Sequence, residues 1–176
     1  SFEKRQAAAI LTIRYGQKPK EFWYVMYRGD AGRTPNIEIY RSNAESDFPL
    51  ADYVEIGCAE EKHGLIRDED YQNARCCVVE STPLRDSVCY GKRVSWIDTG
   101  NWLPLKIEYF DKKGAPWKTL RIEWQNRFEC WFWGKALVEN IQTGTRTTIT
   151  TRDVRVNVGL PDLDFNPHAL ERLTGK

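Results

Sequence analysis

The chain has no excess of either charge. Its 176 residues carry 26 Lys and Arg against 25 Asp and Glu, a net charge of +1. Nucleic-acid binders gather basic side chains on one face, so no nucleic-acid partner is expected. Long apolar runs are missing as well. None reaches the roughly 18 residues needed to cross a bilayer, which argues against stable membrane insertion. The opening SFEKRQ is polar and unlike a signal peptide. Any targeting segment is therefore expected to have been removed or to lie outside this sequence.

Motifs that carry chemistry are also absent. The sequence has no GxGxxG and no GxxxxGKS/T, the glycine-rich loops that cradle phosphates. It has no GxSxG nucleophile elbow. Its two histidines, His63 and His168, stand in polar contexts that suit solvated side chains. Acidic residues cluster at Asp68, Glu69 and Asp70 and at Asp162 and Asp164. Nothing sets an acid against an apolar pocket that would shift its pKa, so no catalytic residue is expected. The five cysteines (Cys58, Cys76, Cys77, Cys89 and Cys130) form no CxxC pair. With so few histidines, neither a metal centre nor a cofactor is expected. Cys76 and Cys77 are adjacent in a strand and point to opposite faces. One or two disulfides or buried free thiols are both compatible with the sequence.

Aromatic residues are abundant: 7 Trp, 8 Tyr and 7 Phe, or 12% of the chain. They suit a packed β core or a half-open apolar cavity, where Trp and Tyr keep one end dry and the other wet.

The length fits a single domain, 1–176. Residues 7–15 and 21–28 alternate as strands around the turn GQKPK, and 36–42 is a third candidate. SDFPLADYVEIG begins with a possible helical turn capped by Ser46 or Asp47. EEKHGLIRDEDYQNA is polar and lacks alternation, so it reads as loop or short irregular strands. From residue 75 the strand signal is strong. CCVVEST, KRVSWID, LPLKIEYFD, WKTLRIEW, ECWFWGKALVENIQ and TRTTITTRDVRVNV follow one another across turns at 83–86, TGNW, DKKGAP, QNR and Thr143-Gly144. Leu105, Ile107 and Tyr109 are expected on one face of their strand; Leu120, Ile122 and Trp124 on one face of the next. Trp131 and Trp133 should share a face, as should Val154, Val156 and Val158. Short connections imply antiparallel neighbours. Asn166 and Pro167 open a short terminal helix with Ala169, Leu170 and Leu173 as its stripe.

Three stretches in order carry a resemblance: SDFPLADY (46–53), YGKRVSWIDTGNWLPLKIEYFDKKGAPWKTLRIE (90–123) and TGTRTTITTRDVRVNVGLPDLDFNPHAL (143–170). Together the segment from Ser46 to Leu173 resembles the LolA-like outer-membrane lipoprotein-sorting proteins. The resemblance implies a mainly β (α+β) fold: a strongly curved antiparallel sheet, an unclosed barrel, with short helices covering an apolar concavity. It also implies a periplasmic carrier of lipid or lipoprotein acyl chains, working with an inner-membrane transporter. Relatives carry helical lid material ahead of the SDF motif. Here about 45 residues precede it, with no long amphipathic helix. The residues expected to line the concavity, chosen by alternation, are Trp96, Leu105, Ile107, Tyr109, Leu120, Ile122, Trp124, Trp131 and Trp133. A lipid-sensing module without transport would use the same cavity. A carbohydrate-binding β protein would instead leave its tryptophans exposed.

Overall fold

Connections too short for a crossover leave successive strands no choice but to pair antiparallel, and the ladder that results dominates the molecule. The computed structural model describes residues 8–13, 22–27, 47–48, 58–156 and 158–159. The chain divides into two compact units, Ser1–Thr34 with Asn157–Lys176, and Pro35–Val156. In the first unit, β1 (Ala8–Ile13) and β2 (Phe22–Tyr27) form an antiparallel pair, with Ala8 opposite Tyr27 and Ile13 opposite Phe22.

The second unit holds a seven-stranded sheet. Its strands are β3 (Glu61–Tyr71), β4 (Ala74–Pro83), β5 (Lys92–Asp98), β6 (Pro104–Phe110), β7 (Pro116–Arg127), β8 (Cys130–Asn140) and β9 (Arg146–Thr150). They lie side by side in chain order, every neighbour antiparallel. The fold is mainly β, an unclosed and curved sheet. Among the described residues the only helix is a single 3₁₀ turn, Cys58–Glu60. Register irregularities fall between Leu65 and Arg67, Trp96 and Ile97, Tyr109 and Phe110, and Glu123 and Trp124. Each adds local bend and twist. At the corner before β5, Gly91 lies so close to the Asp111 carbonyl oxygen that a Cβ would stand 2.6 Å from it. Only glycine fits there.

Three expectations need correction. The polar stretch from Glu61 is not a loop. It is an 11-residue edge strand closed onto β4 by Gln72 and Asn73 at φ 48° and 65°. Alternation is missing because most of β3 is exposed on both faces. The turn expected at QNR comes later, at Phe128 and Glu129, so β7 runs on through Arg127. The last strand stops at Thr150. Asp153, at φ 54°, turns the chain off the ladder, so Val154, Val156 and Val158 line no strand face. The candidate strand at 36–42, most of the turn after Ser46 and the terminal helix lie outside the described residues.

Register separates the sheet into two faces. Ser95 pairs with Ile107, Ile107 with Leu120 and Leu120 with Val138, which sets these four on one side. Trp96 pairs with Lys106 and Lys106 with Arg121, on the other. Each side carries its own buried cluster.

Candidate functional site: an aromatic face under Phe48

The first face spans β6 to β9. Ile107 and Tyr109 of β6, Leu120 and Ile122 of β7, and Ala136 and Val138 of β8 are buried together. Val88 and Tyr90 join them from the connection before β5. Phe48 caps the cluster and is 1% exposed. Its ring lies 6.2 Å from that of Trp133, and Trp133 meets Trp124 edge-on at 6.4 Å. Tyr90 and Tyr109 meet edge-on at 5.3 Å, and Tyr109 meets Trp117 at 6.5 Å. Such tilted and edge-on contacts are the favoured aromatic geometries.

Phe48 is held by its neighbour. The Asp47 carboxylate accepts hydrogen bonds from Thr145 Oγ1 at 2.8 Å, Thr147 Oγ1 at 3.1 Å and Asn140 Nδ2 at 3.3 Å. The Asp47 amide donates to Thr147 Oγ1 at 3.1 Å. Thus the SDF phrase and the TGTRT phrase, 100 residues apart in the case of Asp47 and Thr147, meet at one point. The acidic residue of SDF is thereby anchored to the β8–β9 hairpin beside the phenylalanine.

Polar groups beneath this face are satisfied. Trp124 Nε1 donates to the Pro104 carbonyl at 2.8 Å. Tyr90 Oη donates to Glu61 Oε1 at 2.9 Å, and Arg93 pairs with the same buried carboxylate. Burial is the largest influence on Arg93 and opposes its charge, but the Glu61 hydrogen bond and the electrostatic influence of Tyr109, Tyr90 and Glu61 together outweigh it and raise its pKa. Lys118 is 1% exposed. Its ammonium lies 4.7 Å from the Tyr109 ring and 4.9 Å from the Trp117 ring, within cation–π range. Nearby, backbone N–H groups of the turn, Ala115 foremost, hold the Asp111 carboxyl below its ordinary pKa.

The second face is smaller and carries charge on top. Cys76, Val78, Val94 and Trp96 are buried, with Tyr71, Ala74, Leu105 and Phe110 packed against them. Lys106 Nζ stands 3.7 Å above the Trp96 ring and pairs with Glu108 at 2.8 Å. Trp96 Nε1 donates to Glu69 Oε1 at 2.6 Å. That bond, with a second from Arg67, lowers the Glu69 pKa. A depression on the sheet is lined by Gln72, Arg121, Ile122, Glu123, Lys135 and Leu137.

Six of the nine residues selected by alternation converge on the first face: Ile107, Tyr109, Leu120, Ile122, Trp124 and Trp133. Trp96 and Leu105 pack on the second. Leu105 parts from Ile107 because the irregularity after Trp96 skips it in the register, which runs from Lys106 to Pro104. Trp131 stands outside both clusters and is 47% exposed. Sequence reasoning missed Asp47, Phe48, Tyr90, Lys118, Ala136 and Val138. Lys118 shares the parity of Leu120 and Ile122, a signal that its charge concealed. All five cysteines are free thiols. Cys76 is buried on the second face, where burial pushes its thiol pKa up, while Cys77 points toward the Ile97 carbonyl. His63 lies in β3, bonded to Ser81 Oγ at 2.8 Å and to the Cys58 carbonyl at 3.0 Å. Among the described residues no group of His, Cys, Asp and Glu is placed to hold a metal ion. No described helix is long and apolar enough to cross a membrane.

Solved structures share this architecture. An assigned outer membrane lipoprotein-sorting protein domain from Vibrio parahaemolyticus superposes with a TM-score of 0.71 at 27% identity, over 85% of this chain and 62% of its own. A DUF1329 family protein from Desulfovibrio piger gives 0.68 at 25% identity, over 84% of this chain and 60% of its own. A LolA superfamily protein from Nitrosomonas europaea gives 0.55 at 18% identity, over 93% of this chain and 71% of its own, a likeness of fold. The chain thus spans about three fifths of the first two structures. No curated protein matches the sequence. The model of a family described as "-like: Uncharacterized protein" matches residues 3–172. Matched by that family's model over residues 3–172, the chain belongs to that family, and its fold is LolA-like, shared with lipoprotein-sorting and LolA superfamily structures.

Proposed function

We propose that this protein is a periplasmic carrier. It takes a lipid or lipoprotein acyl chain onto the first face of its sheet and moves it toward the outer membrane. The observation that carries the reading is Phe48, an aromatic side chain from a distant segment buried on a continuous apolar face beside the anchored Asp47. An acyl chain loses roughly 0.8 kcal/mol per CH₂ on leaving an apolar phase for water. A carrier must supply comparable apolar contact, and then release it. Ile107, Tyr109, Leu120, Ile122, Trp124 and Trp133 would supply the contact once Phe48 swings away. Hydrogen bonds to Asp47 are a reversible latch, since each contributes only about 1 kcal/mol net. The similarity to a lipoprotein-sorting domain supports this cargo class. The proposal contains no catalytic step, treats residues 1–176 as one functional domain, as the single family match over 3–172 favours, and assigns an inner-membrane transporter as donor.

Detergent-free purification, solvent extraction and lipid mass spectrometry, run beside native mass spectrometry, test it. A stoichiometric lipid that is lost on Phe48→Asp is the expected result. A protein that emerges without lipid and refuses fluorescent fatty acids overturns the carrier reading.

A further inference from the structure

The β7–β8 hairpin is longer than its neighbours can pair. β6 meets β7 only as far as Arg121, and β9 meets β8 only as far as Lys135. Beyond those points Trp124 pairs with Trp133, Asn126 with Trp131 and Arg127 with Cys130; past Trp124 and Trp133, which still pack on the first face, the hairpin continues as a two-stranded ribbon. Residues 125–131 are all exposed. Phe128 at its apex is 76% exposed, and Trp131 just below it 47%.

Local chemistry does not explain these residues. Phe128 and Glu129 sit at φ 51° and 62°, the type I′ geometry that favours Asn-Gly and disfavours bulky side chains. The β3–β4 turn has the same geometry and carries Gln72-Asn73, where asparagine suits the second position. At β7–β8 the chain accepts a strained phenylalanine and gains no burial for it. Three arginines stand at or beside the tip, against two acidic side chains, Glu129 and Asp153. Arg127 donates to the Val154 carbonyl at 3.1 Å, which brings the 151–156 segment alongside, with Arg152 and Arg155 both exposed. At the same end of the sheet, Trp102 of the β5–β6 turn is also at positive φ, 62°, and 71% exposed.

We propose that this ribbon tip is a docking element for an anionic lipid surface, with Phe128 and Trp131 entering the interface and the arginines meeting headgroup phosphates. Aromatic residues favour that depth, and arginine suits phosphate. Two exposed aromatic side chains suffice for reversible attachment to a soft phase. Trp131 shares a side of β8 with Trp133, which touches Phe48, so the tip leads directly to the capped face. The inference stands whether or not that face carries cargo.

Flotation of the full chain with vesicles of phosphatidylethanolamine and phosphatidylglycerol tests it. The wild-type protein should float, and Phe128→Ser with Trp131→Ser should weaken binding about tenfold or more. Added salt should weaken wild-type binding as the arginines are screened. Both side chains are solvent-exposed, so circular dichroism should show the variant folded. Binding that survives the double substitution, or wild-type protein that does not float, overturns the proposal. So does binding confined to native membranes and abolished by prior trypsin treatment, which would assign the tip to a protein partner.

Discussion

On one face of the sheet Leu120 and Val138 lie beneath Phe48 and Trp133; on the other Val78 and Trp96 lie beneath Lys106 and Arg67. The strands are the same, yet the coverings differ. The first is covered by an aromatic side chain from a distant segment, whose Asp47 carbonyl also accepts from the buried Lys118 ammonium at 3.5 Å. The second is covered by side chains from the sheet itself, whose ammonium and guanidinium groups lie over the Trp96 ring while the indole N–H is bonded to Glu69. A cover brought in from elsewhere in the chain fits the opening proposed for the first face. A fixed charged cover suits a surface that stays closed.

The sharpest way to break this contrast is Phe48→Ala. Removing a fully buried phenylalanine costs about 3–5 kcal/mol, and urea denaturation should show that loss. A soluble fatty acid should restore part of it if the vacated space accepts acyl chains. A matched pair of smaller changes follows. Val138→Ala and Val78→Ala remove the same group from two wholly buried positions, one per face, and each should cost on the order of 2 kcal/mol. Fatty acid should raise the melting temperature of the first variant and leave the second unchanged; equal rescue would erase the distinction between faces. Asp47→Ala releases the latch without touching the cluster. It should cost about 1–2 kcal/mol and increase fatty-acid uptake. The smallest effect belongs to Glu69→Gln. The folded Glu69 pKa is depressed, so its bonds stabilise the protein above the unfolded pKa and are lost as pH falls through the folded value. The urea midpoint of wild type should therefore drop more than that of the variant between neutral pH and about pH 3.

Much of this was legible. Period-2 alternation located β4 through β8 and selected six residues of the first face, because strands covered on one side must alternate. It failed wherever neighbours rather than the strand itself set the outcome. β3 lacked alternation because an edge strand exposed on both faces has little to bury. Leu105 changed sides because a register irregularity follows Trp96. The Phe128-Glu129 turn was unreadable because nothing in its residue types favours positive φ. Asp47 and Phe48 lay in a recognised phrase, but their partners lie about a hundred residues away, at Asn140, Thr145 and Thr147.

The sequence by itself determined the β class, the antiparallel order and the parity of most apolar side chains, since these follow from local periodicity and connection length. Only the tertiary structure decided which face Phe48 covers, where Lys118 is buried and how far the β7–β8 ribbon projects. Those depend on register and on contacts between segments distant in the chain, which no local pattern encodes.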